Sequence, residues 1–175
     1  MKKIILLLPL ILILIISIFL IIYLLQNKDP NKPPSALLNK DSPDLNIASL
    51  LDSSQKLSKN DLKEKFILIN FFASWCAPCK VEHPLFFEIK KKYPNLFIIG
   101  INFKDKNSDA IEYLNSDGNP YDFVGVDKKG LVGLDFGVFG LPETFLINKD
   151  NKIIYKHLGP LTNEIIQNGI YANIK

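Results

Sequence analysis

Cys76 and Cys79 are the only two cysteines of this 175-residue chain, and only two residues separate them in Trp75-Cys76-Ala77-Pro78-Cys79-Lys80. A bridge that closes so small a ring adds little as a staple, because stabilisation grows with the loop enclosed. The same spacing suits dithiol–disulfide exchange. The apolar run 66–72 precedes the pair and reads as a buried strand, and an amphipathic helix pattern follows it. At that junction Cys76 sits at a helix N-terminus, where unpaired N–H groups and the helix dipole favour a thiolate. Cys76 is therefore expected to be the exposed, attacking thiol. Cys79, one turn in, is the resolving thiol that breaks the mixed disulfide. Pro78 fits the first helical turn, where a missing N–H costs little. Trp75 shields the pair or offers a contact surface, or is an ordinary rim aromatic.

Other chemistries are weighed on the same residues. Cys76, Cys79 and His83 make three metal ligands, but a structural zinc site needs four; no metal is expected. Covalent haem needs C-x-x-C-H, and Lys80 stands in the histidine position. The expected cofactor is none beyond a redox-active Cys76–Cys79 disulfide. Glu82, three residues past Cys79, is either a solvated carboxylate or a group near the pair. Glu143 follows Pro142 and is placed to point towards the dithiol. A partly buried carboxylate there raises a thiol pKa or moves protons during exchange. Leu141-Pro142 precedes a strand, and Pro142 by itself reads as a strand-initiating proline. His83 reads as a helix-surface residue.

The elements that must position these groups follow from pattern. Residues 4–25 carry no charge, and only Pro9, Ser17 and Tyr23 interrupt the aliphatics. As a helix they cover roughly the 30 Å of a bilayer core. A cleaved signal peptide has a shorter core and a small-residue cleavage site, and none follows Leu25. Residues 1–25 thus read as a signal anchor, with Lys2 and Lys3 favouring a cytoplasmic N-terminus. Residues 26–43, with Pro30, Pro33, Pro34 and Pro43, read as a polar linker. Residues 44–175 are one domain with a sizeable core.

Without Lys2 and Lys3, 19 Lys face 18 Asp plus Glu and there is no Arg. That balance argues against nucleic acid, and no guanidinium clamp for phosphate exists.

Within the domain, 45–57 holds a short strand or hairpin and Ser58 caps a short helix. In the helix after Ala77, Val81, Leu85, Ile89 and Tyr93 mark one face; Pro84 should kink it. Residues 96–101 form a second buried strand, parallel to the first. Ser108 caps the next helix, and 122–126 is a weak strand. Residues 144–147 and 152–157 flank a turn as a hairpin, and 162–171 closes as a helix. The order β-α-β-α-β-β-α beside C-x-x-C predicts an α/β thioredoxin-like fold: a central mixed sheet flanked by helices, with an N-terminal transmembrane helix.

The segments NFFASWCAPCKVEH (70–83), GINFK (100–104), GNPY (118–121) and GLDFGVFGLPETFLI (133–147) resemble the membrane-anchored thioredoxins of cytochrome c maturation, the thiol:disulfide interchange proteins of the DsbE/CcmG type. The resemblance implies Cys76 and Cys79 as the redox pair and Pro142 as a cis-proline beside it. The main chain of Leu141 is then open to an extended substrate. It places Glu82 and Glu143 as acidic residues near the site.

The resemblance further implies a reductant of apocytochrome c, or of its thiol chaperone, re-reduced by a membrane thiol-electron carrier. The expected location is the bacterial inner membrane, single-pass, with the domain in the periplasm. An anchored thioredoxin with another client, such as copper-centre assembly, or a thiol-dependent scaffold of the haem-attachment machinery, are the alternatives. Two departures stand out. Asn70 replaces the buried Asp of ordinary thioredoxins, and Phe72 stands where relatives often have Trp.

Overall fold

The computed structural model describes residues 2–25 and 36–174. The chain divides into two compact units, Met1–Pro33 and Pro34–Lys175. In the first, α1 (Lys2–Leu25) is a 24-residue helix that contains Pro9. Among the residues whose side chains are described, no helix is long and apolar enough to cross a membrane. Part of the expected linker, 26–35, lies outside the described residues. Its end, 39–42, is not loose: Asn39 N–H donates to the Ile153 carbonyl, Ser42 N–H to that of Asn151, and Ile153 N–H to that of Lys40.

The second unit is built on five strands in the order β5-β4-β3-β6-β7. They are β3 (Ile67–Phe72), β4 (Phe97–Phe103), β5 (Phe123–Asp127), β6 (Glu143–Ile147) and β7 (Ile153–Leu158). β3 runs parallel to β4, and β4 to β5; β6 runs antiparallel to both β3 and β7. The sheet is therefore mixed, as expected. A two-stranded ladder, β1 (Ile47–Ala48) with β2 (Lys56–Leu57), precedes it. The helices are α2 (Ala77–Lys92), α3 (Asn107–Asp117), α4 (Leu131–Asp135) and α5 (Asn163–Ile165), the last continuing as a π-helix over Ile166–Tyr171.

All six residues of β3 are buried, because the sheet is covered on both faces and an apolar run is the pattern such a strand requires. Leu68 and Phe72 face Phe86 and Ile89 of α2, while Ile69 and Phe71 face Phe136 and Phe145. Each fully buried Phe or Leu contributes roughly 1.5–3 kcal/mol. Gly100 has a spatial reason: a Cβ there would lie 2.7 Å from the ring of Tyr121.

Three local expectations are corrected. The buried face of α2 is Cys79, Glu82, His83, Phe86 and Ile89, and Val81 is 74% exposed. α3 begins one residue before Ser108, with Lys106 as its N-cap, because Asp105 takes the Lys106 N–H and sets the turn. α4 was not anticipated: its five residues include Gly133, which lies close under the Phe103 ring, so helix propensity gave no sign of it.

Candidate active site

β3 ends at Phe72 and the chain turns through Ala73, Ser74 and Trp75 into α2. Cys76 is the N-cap of that helix, and Pro78 lies in its first turn. The two cysteines form a disulfide, with Cα atoms 5.3 Å apart. The Cys79 N–H donates to Cys76 Sγ at 3.2 Å. The sulfur of Cys76 thus occupies the place of a capping oxygen, where a backbone donor and the helix dipole favour negative charge. Trp75 is 63% exposed, but Cys76 is only 3% exposed, as is Cys79. The expectation that Cys76 is the more exposed thiol is therefore corrected. In the disulfide form both sulfurs are covered, and what distinguishes Cys76 is the donor aimed at it.

The turn before the disulfide is pinned by a carboxylate that sequence reasoning missed. Asp105 accepts from Ser74 N–H at 2.6 Å, Ser74 Oγ at 3.0 Å, Asn102 Nδ2 at 2.9 Å and Lys106 N–H at 2.8 Å. Desolvation works against its ionised form, but the donors outweigh it and hold its pKa below the usual value.

Glu82 is not a surface carboxylate. It is fully buried, one turn beyond Cys79 on the same helix face. Asn70 Nδ2 donates to its Oε1 at 2.8 Å, and Leu161 N–H donates to its Oε2 at 2.7 Å. Asn70 is fixed in turn by Tyr121, whose hydroxyl donates to Asn70 Oδ1 at 2.9 Å, and by a contact from Nδ2 to Thr144 Oγ1 at 3.2 Å. Among the described residues no lysine forms an ion pair with Glu82. Burial pushes the Glu82 carboxyl up to about 7, against the pull of the Leu161 and Asn70 donors. Asn70 is no base itself; its amide orients the Glu82 carboxyl.

His83 lies beside it, buried, with Nε2 2.9 Å from the Gly118 carbonyl. Desolvation lowers its pKa, so it is a neutral core residue that ties α2 to the end of α3 and not the helix-surface residue expected.

Glu143 stands on the other face of the sheet. It pairs across the ladder with Phe71, while Asn70 pairs with Thr144, and directly paired residues share a face. Its Oε1 lies 2.6 Å from Lys156 Nζ, and its Oε2 accepts from Phe139 N–H at 3.0 Å. Burial raises its pKa, and the Lys156 ammonium opposes that rise. The expectation that it points at the dithiol is corrected: it faces the 136–140 loop and is neutralised there.

Leu141–Pro142 is a cis peptide. Pro142 precedes β6, next in register beyond the Phe71–Glu143 pair and so level with Phe72 at the end of β3. The Pro142 carbonyl accepts from Gly159 N–H at 2.9 Å. The main chain of Leu141 makes no hydrogen bond among the described residues. Among those residues no group of three or more His, Cys, Asp or Glu gathers as metal ligands would.

Comparisons with known proteins agree with this geometry. The Redoxin family model matches residues 38–173. Thiol:disulfide interchange protein DsbE of Pseudomonas aeruginosa is 41% identical over 165 residues, covering 94% of this chain and 89% of that one. Thiol:disulfide interchange protein HelX of Rhodobacter capsulatus is 39% identical over 145 residues, covering 82% and 81%. The thioredoxin domain of a thiol-disulfide oxidoreductase from Bacteroides vulgatus superposes with a TM-score of 0.69 at 19% identity, over 81% of this chain and all of that one, which shows the thioredoxin-like fold. With a disulfide closing the first turn of α2 and relatives of this kind along nearly its whole length, the chain belongs to the redoxin family, among the DsbE-type thiol:disulfide interchange proteins, and is a thiol–disulfide oxidoreductase.

Proposed function

We propose that this oxidoreductase is a membrane-anchored reductant of cysteine pairs in apocytochrome c, or in a chaperone that holds it, before haem attachment. Helix α1 with Lys2 and Lys3 before its apolar run supports a single-pass anchor, N-terminus in the cytoplasm and the second unit in the periplasm. The likeness to DsbE-type proteins supports the client class.

The observation that carries the direction of electron flow is Glu82. A buried carboxylate that no lysine pairs with among the described residues disfavours a second negative charge on a nearby sulfur. A less stable thiolate makes the reduced form less stable, and hence a stronger reductant.

The exchange begins from the dithiol. The Cys76 thiolate attacks one sulfur of the client disulfide; that bond breaks, and the departing client thiolate takes a proton. Cys79 then loses its proton, for which Glu82 is the acceptor in this scheme, and attacks Cys76 Sγ. The mixed disulfide breaks and the second client thiolate leaves. Two electrons have passed to the client, and the protein is left with the Cys76–Cys79 bond. A membrane thiol-electron carrier returns it to the dithiol.

Equilibration of the full chain with glutathione tests this. A potential near the ~−270 mV of thioredoxin is expected, and one near the ~−120 mV of DsbA would reject a reductant. A Cys76→Ser, Cys79→Ser double variant should lose cytochrome maturation; retention would turn the reading to a scaffold. For thiol order, Cys79→Ala should trap mixed disulfides with clients and Cys76→Ala should not.

A further inference from the structure

The loop that delivers the cis peptide is held by charges that the redox chemistry does not use. Residues 136–141 run from the end of α4 to Pro142, and two hydrogen bonds, linked by an ion pair between β6 and β7, fix them to the sheet. Lys156 Nζ donates to the Gly137 carbonyl at 2.9 Å. The same ammonium lies 2.6 Å from Glu143 Oε1. Glu143 Oε2 then accepts from Phe139 N–H at 3.0 Å. Lys156 is closely boxed, its Nζ 5.2 Å from the Phe139 ring centroid and 5.0 Å from that of Phe145. Its side chain is 6% exposed and that of Glu143 fully buried. Phe139 itself is 79% exposed, so the loop is fixed by its main chain while its aromatic tip faces out.

An ion pair buried to this degree is expensive in desolvation and is weak evidence for stability alone. Here it fixes shape. The Gly137 carbonyl and the Phe139 N–H are held just before Gly140 and Leu141, and the main chain of Leu141 is unpaired among the described residues. The Phe136 ring, 5.3 Å from that of Phe145, and a backbone hydrogen bond from Gly140 to the Glu143 carboxylate complete the attachment of the loop to β6.

We propose that Lys156 is a positioning residue for client engagement: through Glu143 and the Gly137 carbonyl it holds 136–141 so that the Leu141 main chain and the Phe139 ring meet an extended client segment at the dithiol. The proposal rests on the reading of the chain as a reductant of polypeptide disulfides. Lys156 acts through the loop and not on the sulfurs, since it lies on the sheet face opposite Glu82 and α2.

The test compares full-length wild type, Lys156→Arg, Lys156→Met and the Glu143→Gln, Lys156→Met double variant, the last because a lone buried Glu143 can unfold the single variant. Three quantities are read: KM for a disulfide-bonded cysteine-pair peptide, the rate on the small disulfide of hydroxyethyl disulfide, and the equilibrium constant with glutathione. The double variant should raise the peptide KM about tenfold, as misplacement of a docking group does. It should leave the small-disulfide rate and the glutathione constant within about twofold of wild type. Lys156→Arg should restore the peptide KM, and exchange of the Phe139 amide should quicken only where the pair is removed. An unchanged peptide KM in the folded double variant overturns the proposal. So does an equal change on both substrates, which would place Lys156 in redox tuning or general stability. If the wild type itself fails to reduce the peptide but handles the small disulfide, it is the client reading that falls, not the loop's.

Discussion

Glu82 on helix α2 and Glu143 on strand β6 are both buried carboxylates, on opposite faces of the sheet, and their surroundings differ in kind. Glu82 is met by neutral donors, the Asn70 amide and the Leu161 N–H. Among the described residues no lysine forms an ion pair with it, and burial pushes its carboxyl up to about 7. Glu143 is met by an ammonium 2.6 Å away. Neutral donors orient a carboxylate without supplying a countercharge; the Lys156 ammonium supplies one and opposes the rise that burial imposes on Glu143. The first arrangement suits a group that exchanges protons beside a redox pair, and the second suits a group that fixes shape.

The largest expected effect breaks the second arrangement. Lys156→Met leaves Glu143 buried beside no cation and should destabilise the fold by roughly 3–5 kcal/mol in denaturant unfolding. Adding Glu143→Gln should recover more than half of that. If the double variant is as unstable as the single, packing of the lysine stem and not the charge is what matters.

Next comes pH. The folded Glu82 holds its proton to about 7, well above an unfolded Glu. Between about pH 4.5 and 7 the native state therefore binds more protons than the unfolded state, so stability falls as pH rises through that window and levels off above it. The drop attributable to Glu82 is on the order of 3 kcal/mol. Glu82→Gln should remove most of it in oxidised protein; an unchanged pH profile would show that Glu82 titrates as an exposed carboxylate does.

A smaller effect separates the two carboxylates at the sulfurs. In a pH series of Cys76 alkylation, Glu82→Gln should lower the thiol pKa by about half a unit to one unit, and so make a weaker reductant. Glu143→Gln should move it by no more than about 0.2 unit, since its charge is already balanced. Equal shifts would erase the distinction drawn between the two faces.

The smallest concerns the orienting chain. Tyr121→Phe removes the donor to Asn70 Oδ1 and should cost about 1–2 kcal/mol, with the cysteine chemistry intact. A loss of reducing activity out of proportion to that cost would mean that Asn70 does more than orient Glu82.

Much of this was legible beforehand. The C-x-x-C pair, the buried strand before it, the crossover to β4 and the closing hairpin all follow from local pattern. What was not legible depends on partners remote in sequence. In sequence Glu82 stays open between a solvated charge and a group near the pair, because its burial depends on Leu161, 79 residues on, and on Asn70, 12 residues back. The apolar period on α2 picks Val81 as inward, yet the helix turns its polar residues Glu82 and His83 to the core and leaves Val81 in solvent. Glu143 was assigned to the dithiol on adjacency to Pro142, but strand alternation sends neighbours to opposite faces, and the register that decides this is set by pairing with β3. Lys156 carries no signal of its own; only the hairpin brings it to Glu143.

The docking of residues 39–42 on the hairpin turn has a consequence for labelling. They are stitched to the Asn151–Ile153 side of that turn, level with Ile67 at the start of β3. The disulfide lies past the other end of that strand. Six residues of strand cover about 20 Å, so within the second unit these residues and the sulfurs lie at opposite ends of β3. A bulky probe carried on the side chain of Asn39 therefore sits a strand's length from the sulfurs and leaves their exchange with a disulfide substrate as it is.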